Sequence, residues 1–502
     1  MKTETEEMIA HPAQSAASTH PGKGLRSLCP EWAALCIYTL LLAITIPFHE
    51  PWGDEAQAWQ LARNLSLRSL FQTYIRYEGS PGLWHLLLWI LNRAHVSYAG
   101  MHWFCGIIAL AASALLIFSS PFPRYLRLTL PFTYFLLFQF AVVARSYVLV
   151  PILLFLIAIC WKKSPLLSAL LLGLLANVSL HTAMISGGLA LVYAITSRRG
   201  GMPNTNISAR RKLQALAILL CLYAAAVWTA WPPHDQAFKT ESGPFFIVLL
   251  VHFIGLCGPW LVALPFWIAI ALMLRGRNES VFLLPLLLFV AFSLAVHVAF
   301  WHAGLLFPFA ICVLWITWPA PDQSGFKYEV IGRIALAGFA ALQICWSAYA
   351  LDFDHYHAYA PDQAAAEFLR PFVRAGSSIA ISYVGDTGCQ TCGSVGLMPY
   401  FDRGMYINEP DPFWSWSSHN PTEKLFQQLL PTHPDIVILE AAPLHPDRIF
   451  DPDDAKIRQV TSAGYTFTHM FCGEMPEGFQ LKRESCHLIF QQIHNQQEPA
   501  AK

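Results

Sequence analysis

Long apolar runs recur through the chain at close to the length a helix needs to cross a hydrocarbon core, about 20 residues. They fall at Trp32–Phe48, Gly100–Phe118, Leu126–Val143, Val148–Trp161, Leu166–Leu180, Ala183–Ser197, Leu213–Trp231, Pro259–Leu274, Val281–Phe300, Ala303–Trp318 and Ile334–Ala350, eleven in all. Within a bilayer the backbone can satisfy its own polar groups only in helices or closed barrels. A chain that is 55% hydrophobic and 13% charged over 502 residues is therefore expected to be a polytopic α-helical membrane protein. Basic residues cluster between alternate runs, at Lys23/Arg26, Arg124/Arg127, Lys162/Lys163, Arg198 to Lys212, Arg275/Arg277 and Lys327/Arg333. An excess of Lys and Arg marks the cytoplasmic side. The alternation closes if Leu83–Leu91 and Phe245–Leu256 are juxtamembrane or re-entrant helices rather than crossings.

That count divides the chain. Residues 1–30 are polar, with no signal-peptide core, and are expected to be a disordered cytoplasmic tail ahead of an uncleaved signal-anchor. Residues 31–350 form the membrane domain, 351–494 a domain on the outer side, and 495–502 a polar tail. In the outer domain SSIAISYV and DIVILEAAP alternate as strands do, and PDQAAAEFLRPFV and PTEKLFQQLLPTH have helical spacing, so a small extracytoplasmic α/β domain is expected. A formal net charge of zero argues against a nucleic-acid partner, which would need an excess of cations.

Four cysteines lie in that domain: Cys389 and Cys392 in GDTGCQTCGS, then Cys472 and Cys486. An oxidising compartment favours disulfides, with Cys389–Cys392 and Cys472–Cys486 the preferred of three pairings. A zinc site is the alternative, weakened because the second pair lacks CxxC spacing.

The same topology gathers charge on the outer face. HEPWGDEAQAW puts Asp54 and Glu55 just past the first run, at the start of a helix whose N-terminus favours acids. Ala56, Trp59, Leu61 and Ala62 of that helix are expected at the membrane interface. RYEGSPGLW adds Glu78 in a Gly-Pro turn, and FAVVARSYVLVP adds Arg145, a cation retained at membrane depth only where it meets a partner or lines a cavity, or else one that snorkels to headgroups. His181 and His302 occupy two further outer turns, with His297 beside the second; singly, each would read as a satisfied interfacial histidine. Together the set suits displacement at a phosphorylated carbon: a carboxylate takes the proton of an attacking hydroxyl, and Arg and His neutralise the departing phosphate.

WGDEAQAW, YEGSPGLW, ARSYVLVP and GPFFIVLLVHFIGLCGPWL resemble the corresponding outer-face segments of GT-C superfamily glycosyltransferases, of the protein O-mannosyltransferase and lipid A aminoarabinose transferase type. The likeness covers roughly Trp32 to Ala350, with His302 departing from the Lys or Tyr expected in its turn. It implies an inverting enzyme on the outer side of a bacterial cytoplasmic membrane. Such an enzyme moves a sugar from a polyprenyl-phosphate donor to an acceptor hydroxyl on a glycolipid, polysaccharide or protein. In that reading Asp54 is the general base, Glu55 and Glu78 orient the acceptor or bind a divalent metal, Arg145 holds the donor phosphate, and His181 and His302 support it. Nothing in the sequence requires the metal. A transporter or lipid flippase is the competing reading, which predicts charges spread through the bilayer rather than gathered on one face. A structural anchor for the outer domain would need neither Arg145 nor the acid pair.

Overall fold

The computed structural model describes residues 29–198, 208–237, 244–254, 260–275, 279–296, 300–319, 327–384, 394–402, 404–409, 411–441, 451–477 and 481–492. Residues 1–28, His297, Cys389, Cys392 and the 495–502 tail lie outside these.

The described residues are mostly helical, with a small C-terminal sheet. Helix α1 (Cys29–Thr45) leads into α2 (Gly53–Asn64), α3 (Leu67–Gln72), α4 (Leu83–Arg93), α5 (Tyr98–Ser119) and α6 (Arg124–Thr129). After an irregular stretch come α7 (Leu149–Cys160), α8 (Pro165–Ala176), α9 (Leu180–Arg198), α10 (Ala209–Ala230), α11 (Phe245–Ile254) and α12 (Trp260–Leu274). The body closes with α13 (Ser280–Ala295), α14 (Phe300–Gly304), α15 (Leu306–Thr317) and α16 (Lys327–Tyr356). Among the described residues three helical segments are long and apolar enough to cross a membrane: Tyr98–Ser119, Ala209–Ala230 and Tyr328–Tyr356. The other apolar helices are shorter.

The run at 126–143, expected as one crossing, is instead broken into α6, a 3-10 turn at Leu130–Phe132 and a single π turn at Phe135–Gln139. Two causes are visible. Pro131 removes an N–H and crowds the preceding turn. The stretch is also walled in by protein: Tyr134 stacks on Trp346 with centroids 3.9 Å apart, and the Tyr38 hydroxyl donates to the Leu136 carbonyl at 2.7 Å. Irregular backbone is tolerated at membrane depth where protein surrounds it.

The C-terminal part carries a four-stranded sheet in the order β1–β2–β4–β3, with β1 Ile379–Val384, β2 Ile436–Ala441, β3 Tyr465–Glu477 and β4 Leu481–Gln492. The β1–β2 pair is parallel and the other two are antiparallel. The expected strands and helices of this region are present, as β1, β2, α17 (Asp362–Ala375) and, past α18 (Ser394–Leu397), α19 (Thr422–Leu429). Sequence reading missed the long β3–β4 hairpin, whose ends flank a disulfide between Cys472 and Cys486. Period-two side chains divide the sheet's apolar residues between two clusters. Val437, Leu439, Leu488 and Phe490 pack with Phe426 of α19, and with Ile457 and Val460 of α20 (Ala455–Ser462). Ile379, Ile381, Ile436, Ile438 and Ile489 pack with α17 and with Ala56 of α2.

Ala56, Trp59, Leu61 and Ala62 are thus all buried in protein, where the sequence placed them at a lipid interface. Two neighbours cover the helix they lie on: Ala56 packs against the C-terminal sheet and Leu61 with Leu70 and Phe413, while Trp59 and Ala62 join the core of the helical body.

Candidate active site

Helix α2 builds the site. Its first turn carries both acids, and the two have different surroundings. Asp54 is open, with its side chain 45% exposed, and pairs through Oδ2 with Arg145 Nη2 at 2.8 Å. Arg145 lies where the irregular stretch turns into α7, and its guanidinium is 5.4 Å from the ring of Trp52, 5.3 Å from Tyr147 and 4.9 Å from Trp301. Three aromatic rings around one guanidinium hold it by cation–π attraction. The cation therefore meets a partner instead of snorkelling.

Glu55 is fully buried. Its Oε2 accepts from the Trp52 backbone N–H at 3.1 Å, half of a capping box, and its Oε1 accepts from the Ala144 N–H at 2.5 Å and contacts His102 Nε2 at 3.1 Å. His49 Nε2 is 3.6 Å from Oε2, and His49 Nδ1 bonds Asp354 near the end of α16 at 3.0 Å. Burial pushes the Glu55 carboxyl up, but His102 and His49 together hold it well below the usual range. For His49 burial pushes down, and the carboxylates of Asp354 and then Glu55 raise it on balance.

Glu78 sits in the turn after a 3-10 segment, Tyr74–Tyr77, where Gly79 at φ +59° supplies the left-handed residue that reverses the chain. Its Oε1 accepts from the Gln57 side-chain N–H at 2.8 Å. Gln57 also donates to the Trp414 carbonyl at 2.8 Å and accepts from the Trp414 N–H at 2.9 Å. Burial pushes the Glu78 carboxyl up to about 8, with the charge of Asp54 adding and the Gln57 bond partly offsetting. Glu55 and Glu78, paired above as one acceptor or metal site, are thus engaged by different partners: Glu55 by His49 and His102, Glu78 by Gln57.

His181 and His302 come together, their rings stacked with centroids 4.0 Å apart and 17° between planes. Tyr147 links them to the cation, lying 5.9 Å from His302 as well as beneath Arg145. Two residues beyond His302, Gly304 lets α14 pack closely on Phe135, since a Cβ there would stand 2.1 Å from that ring. The arrangement thus joins Asp54 and Arg145 directly, and His302 and His181 through Tyr147.

Four functional candidates were missed: His49, His102, Asp354 and Gln57. His49 opens the HEPWGDE motif, which was a usable signal. The others had none, because Asp354 lies 305 residues from His49, Gln57 lies 357 from Trp414 and His102 lies 47 from Glu55.

No protein-family profile matches the chain, and no curated protein matches it. Among solved structures it is similar to the crystal structure of ArnT from Cupriavidus metallidurans bound to undecaprenyl phosphate. The likeness has a TM-score of 0.53 at 11% identity and covers 91% of this chain and 98% of that one. The fold is GT-C-like, and this likeness in fold takes in most of the C-terminal part as well.

Proposed function

From a GT-C-like fold with an open acid–cation pair at the end that carries the sheet, we propose that this chain is a membrane glycosyltransferase. It transfers a sugar from a polyprenyl-phosphate carrier to an acceptor hydroxyl, with inversion, at the outer side of a bacterial cytoplasmic membrane. In this reading the body crosses the bilayer about eleven times, once through the broken, protein-enclosed 126–143 stretch, with residues 1–30 cytoplasmic and the α/β part extracytoplasmic.

The observation that carries this reading is the 2.8 Å contact between Asp54 and Arg145, on a carboxylate open to solvent and a guanidinium caged by Trp52, Tyr147 and Trp301. Arg145 has more N–H donors than one carboxylate uses, so the carrier phosphate docks on the remainder, beside the carboxylate. The acceptor oxygen then attacks the anomeric carbon from the face opposite the phosphate. Its proton passes to Asp54, the bond from carbon to phosphate oxygen breaks, and the negative charge released on the phosphate is held by Arg145, with the His302–His181 stack behind. Glu78 and Gln57 set the acceptor side, because Gln57 ties the Glu78 turn to the Trp414 loop of the α/β part.

The test uses the full chain in detergent with a radiolabelled polyprenyl-phosphate sugar. Asp54→Asn keeps the shape of the side chain, and it is expected to fold and bind carrier while transferring at least about 100-fold more slowly. Wild-type turnover in that variant removes Asp54 from the mechanism. Carrier lipid moved across vesicles without transfer to any acceptor replaces the transferase with the flippase.

A further inference from the structure

The geometry points to a binding site for one divalent transition-metal ion of the zinc class, held by His49, Glu55 and His102 beneath the catalytic pair. The three side chains come from separate places: the segment after α1, the first turn of α2 and the second turn of α5. All are buried, and each offers one ligand atom within 4.8 Å of the other two.

Three further observations distinguish this cluster from an ordinary buried hydrogen-bond network. His49 Nε2 is buried with no hydrogen-bond partner, although it faces Glu55 Oε2 at 3.6 Å. An orphaned buried polar atom is costly, and a cation removes the cost. The other nitrogen of that ring, Nδ1, bonds Asp354 at 3.0 and 3.3 Å. A carboxylate on the far nitrogen fixes the tautomer of a ligating imidazole and aims its lone pair inward. Lastly, Glu55 is held from behind by two backbone N–H groups, those of Trp52 and Ala144, which leaves Oε2 a free lone-pair direction and Oε1 one that only His102 Nε2, itself a ligand of the site, now fills.

Charge and donor type then choose the ion. Two buried carboxylates, Glu55 and Asp354, stand against two imidazoles, and Arg145 is already committed to Asp54. A dication balances them. Two imidazole nitrogens with one carboxylate oxygen suit zinc and its neighbours, whereas magnesium and calcium take oxygen sets. Ligand atoms around tetrahedral zinc sit about 3.3 Å apart, so small side-chain rotations close the cluster. The ion would pin α2, α5 and, through His49 and Asp354, α16 at one point, fixing the turn from which Asp54 projects.

The inference stands apart from the transferase reading, because its readout is metal content. The full chain, purified without a polyhistidine tag, is expected to carry about one zinc-class ion by elemental analysis, on the order expected of a preformed buried site. Asp54→Asn should retain it, and Glu55→Gln and His102→Gln should lose it. Because those two variants can fail to fold, wild-type protein is also chelated: its thermal midpoint should fall and should recover with Zn2+ but not Mg2+. Folded wild-type protein that holds no metal, takes up none on dialysis against zinc and shows no midpoint change under chelation overturns the proposal. Metal retained at the wild-type level in His102→Gln also overturns it, since the ion would be bound elsewhere.

Discussion

A carboxylate and a guanidinium in contact constrain each other, and the Asp54–Arg145 pair binds both to one geometry. Arg145→Lys tests whether charge alone suffices. Lysine keeps the charge but lacks the planar fork and stacks poorly between Trp52, Tyr147 and Trp301. Transfer is expected to fall roughly 10- to 100-fold, which is less than for loss of the charge altogether; an unchanged rate would show that the cage is not used. Glu78 gives a second test, in pH. Its carboxyl is pushed up to about 8 in the folded chain against 4.5 for the free side chain. Between those values the folded state holds a proton that the unfolded state has lost, so this residue's contribution to stability declines as pH rises through the window. Glu78→Gln cannot ionise and still accepts from Gln57. Its thermal midpoint relative to wild type is therefore expected to climb between pH 5 and 8, and a constant difference would refute the raised value. Asp54, Glu78 and Arg145 were legible because each stands out locally, an acid or cation beside an apolar run. The His49–Asp354 contact was not, because no local pattern links residues that meet only after the helices pack.

Among the elements, the irregular stretch between α6 and α7 matters more than any regular helix. It delivers the Ala144 N–H to Glu55 and the guanidinium of Arg145 to Asp54, neither of which an unbroken helix ending at Val143 would place. Hydropathy reads it as an unbroken lipid-facing helix because its residues are apolar, but they are apolar to pack against protein, and composition does not separate lipid from protein as the neighbour. The same closeness makes α14 sensitive to volume. Gly304→Ala puts a methyl 2.1 Å from the Phe135 ring, and overpacking of this kind costs about 1–3 kcal/mol. The expected result is a lowered thermal midpoint together with weaker donor binding, as His302 is moved off His181; a midpoint within error of wild type would show that Phe135 gives way freely.

At the level of the whole molecule, α10 offers a direct check on orientation. It runs from Ala209 to Ala230, 22 residues, long enough to span. Both flanks are open, Ala209 at its start and His234 beyond its end. A cysteine at His234 is expected to react with an impermeant maleimide applied outside intact cells, and one at Ala209 only after lysis. Labelling of both from one side would break the charge-based count. The strand order carries a different consequence, one of timing. The last strand made, β4, lies between β2 and β3, so the sheet has no continuous ladder until residues 481–492 have left the ribosome. Until then β2 and β3 present bare edges, which invite mispairing with other chains. A stop codon just before Leu481 would therefore do more than trim an end: it would leave a nascent protein whose described helices are all synthesised but whose sheet cannot close, a ready substrate for proteases.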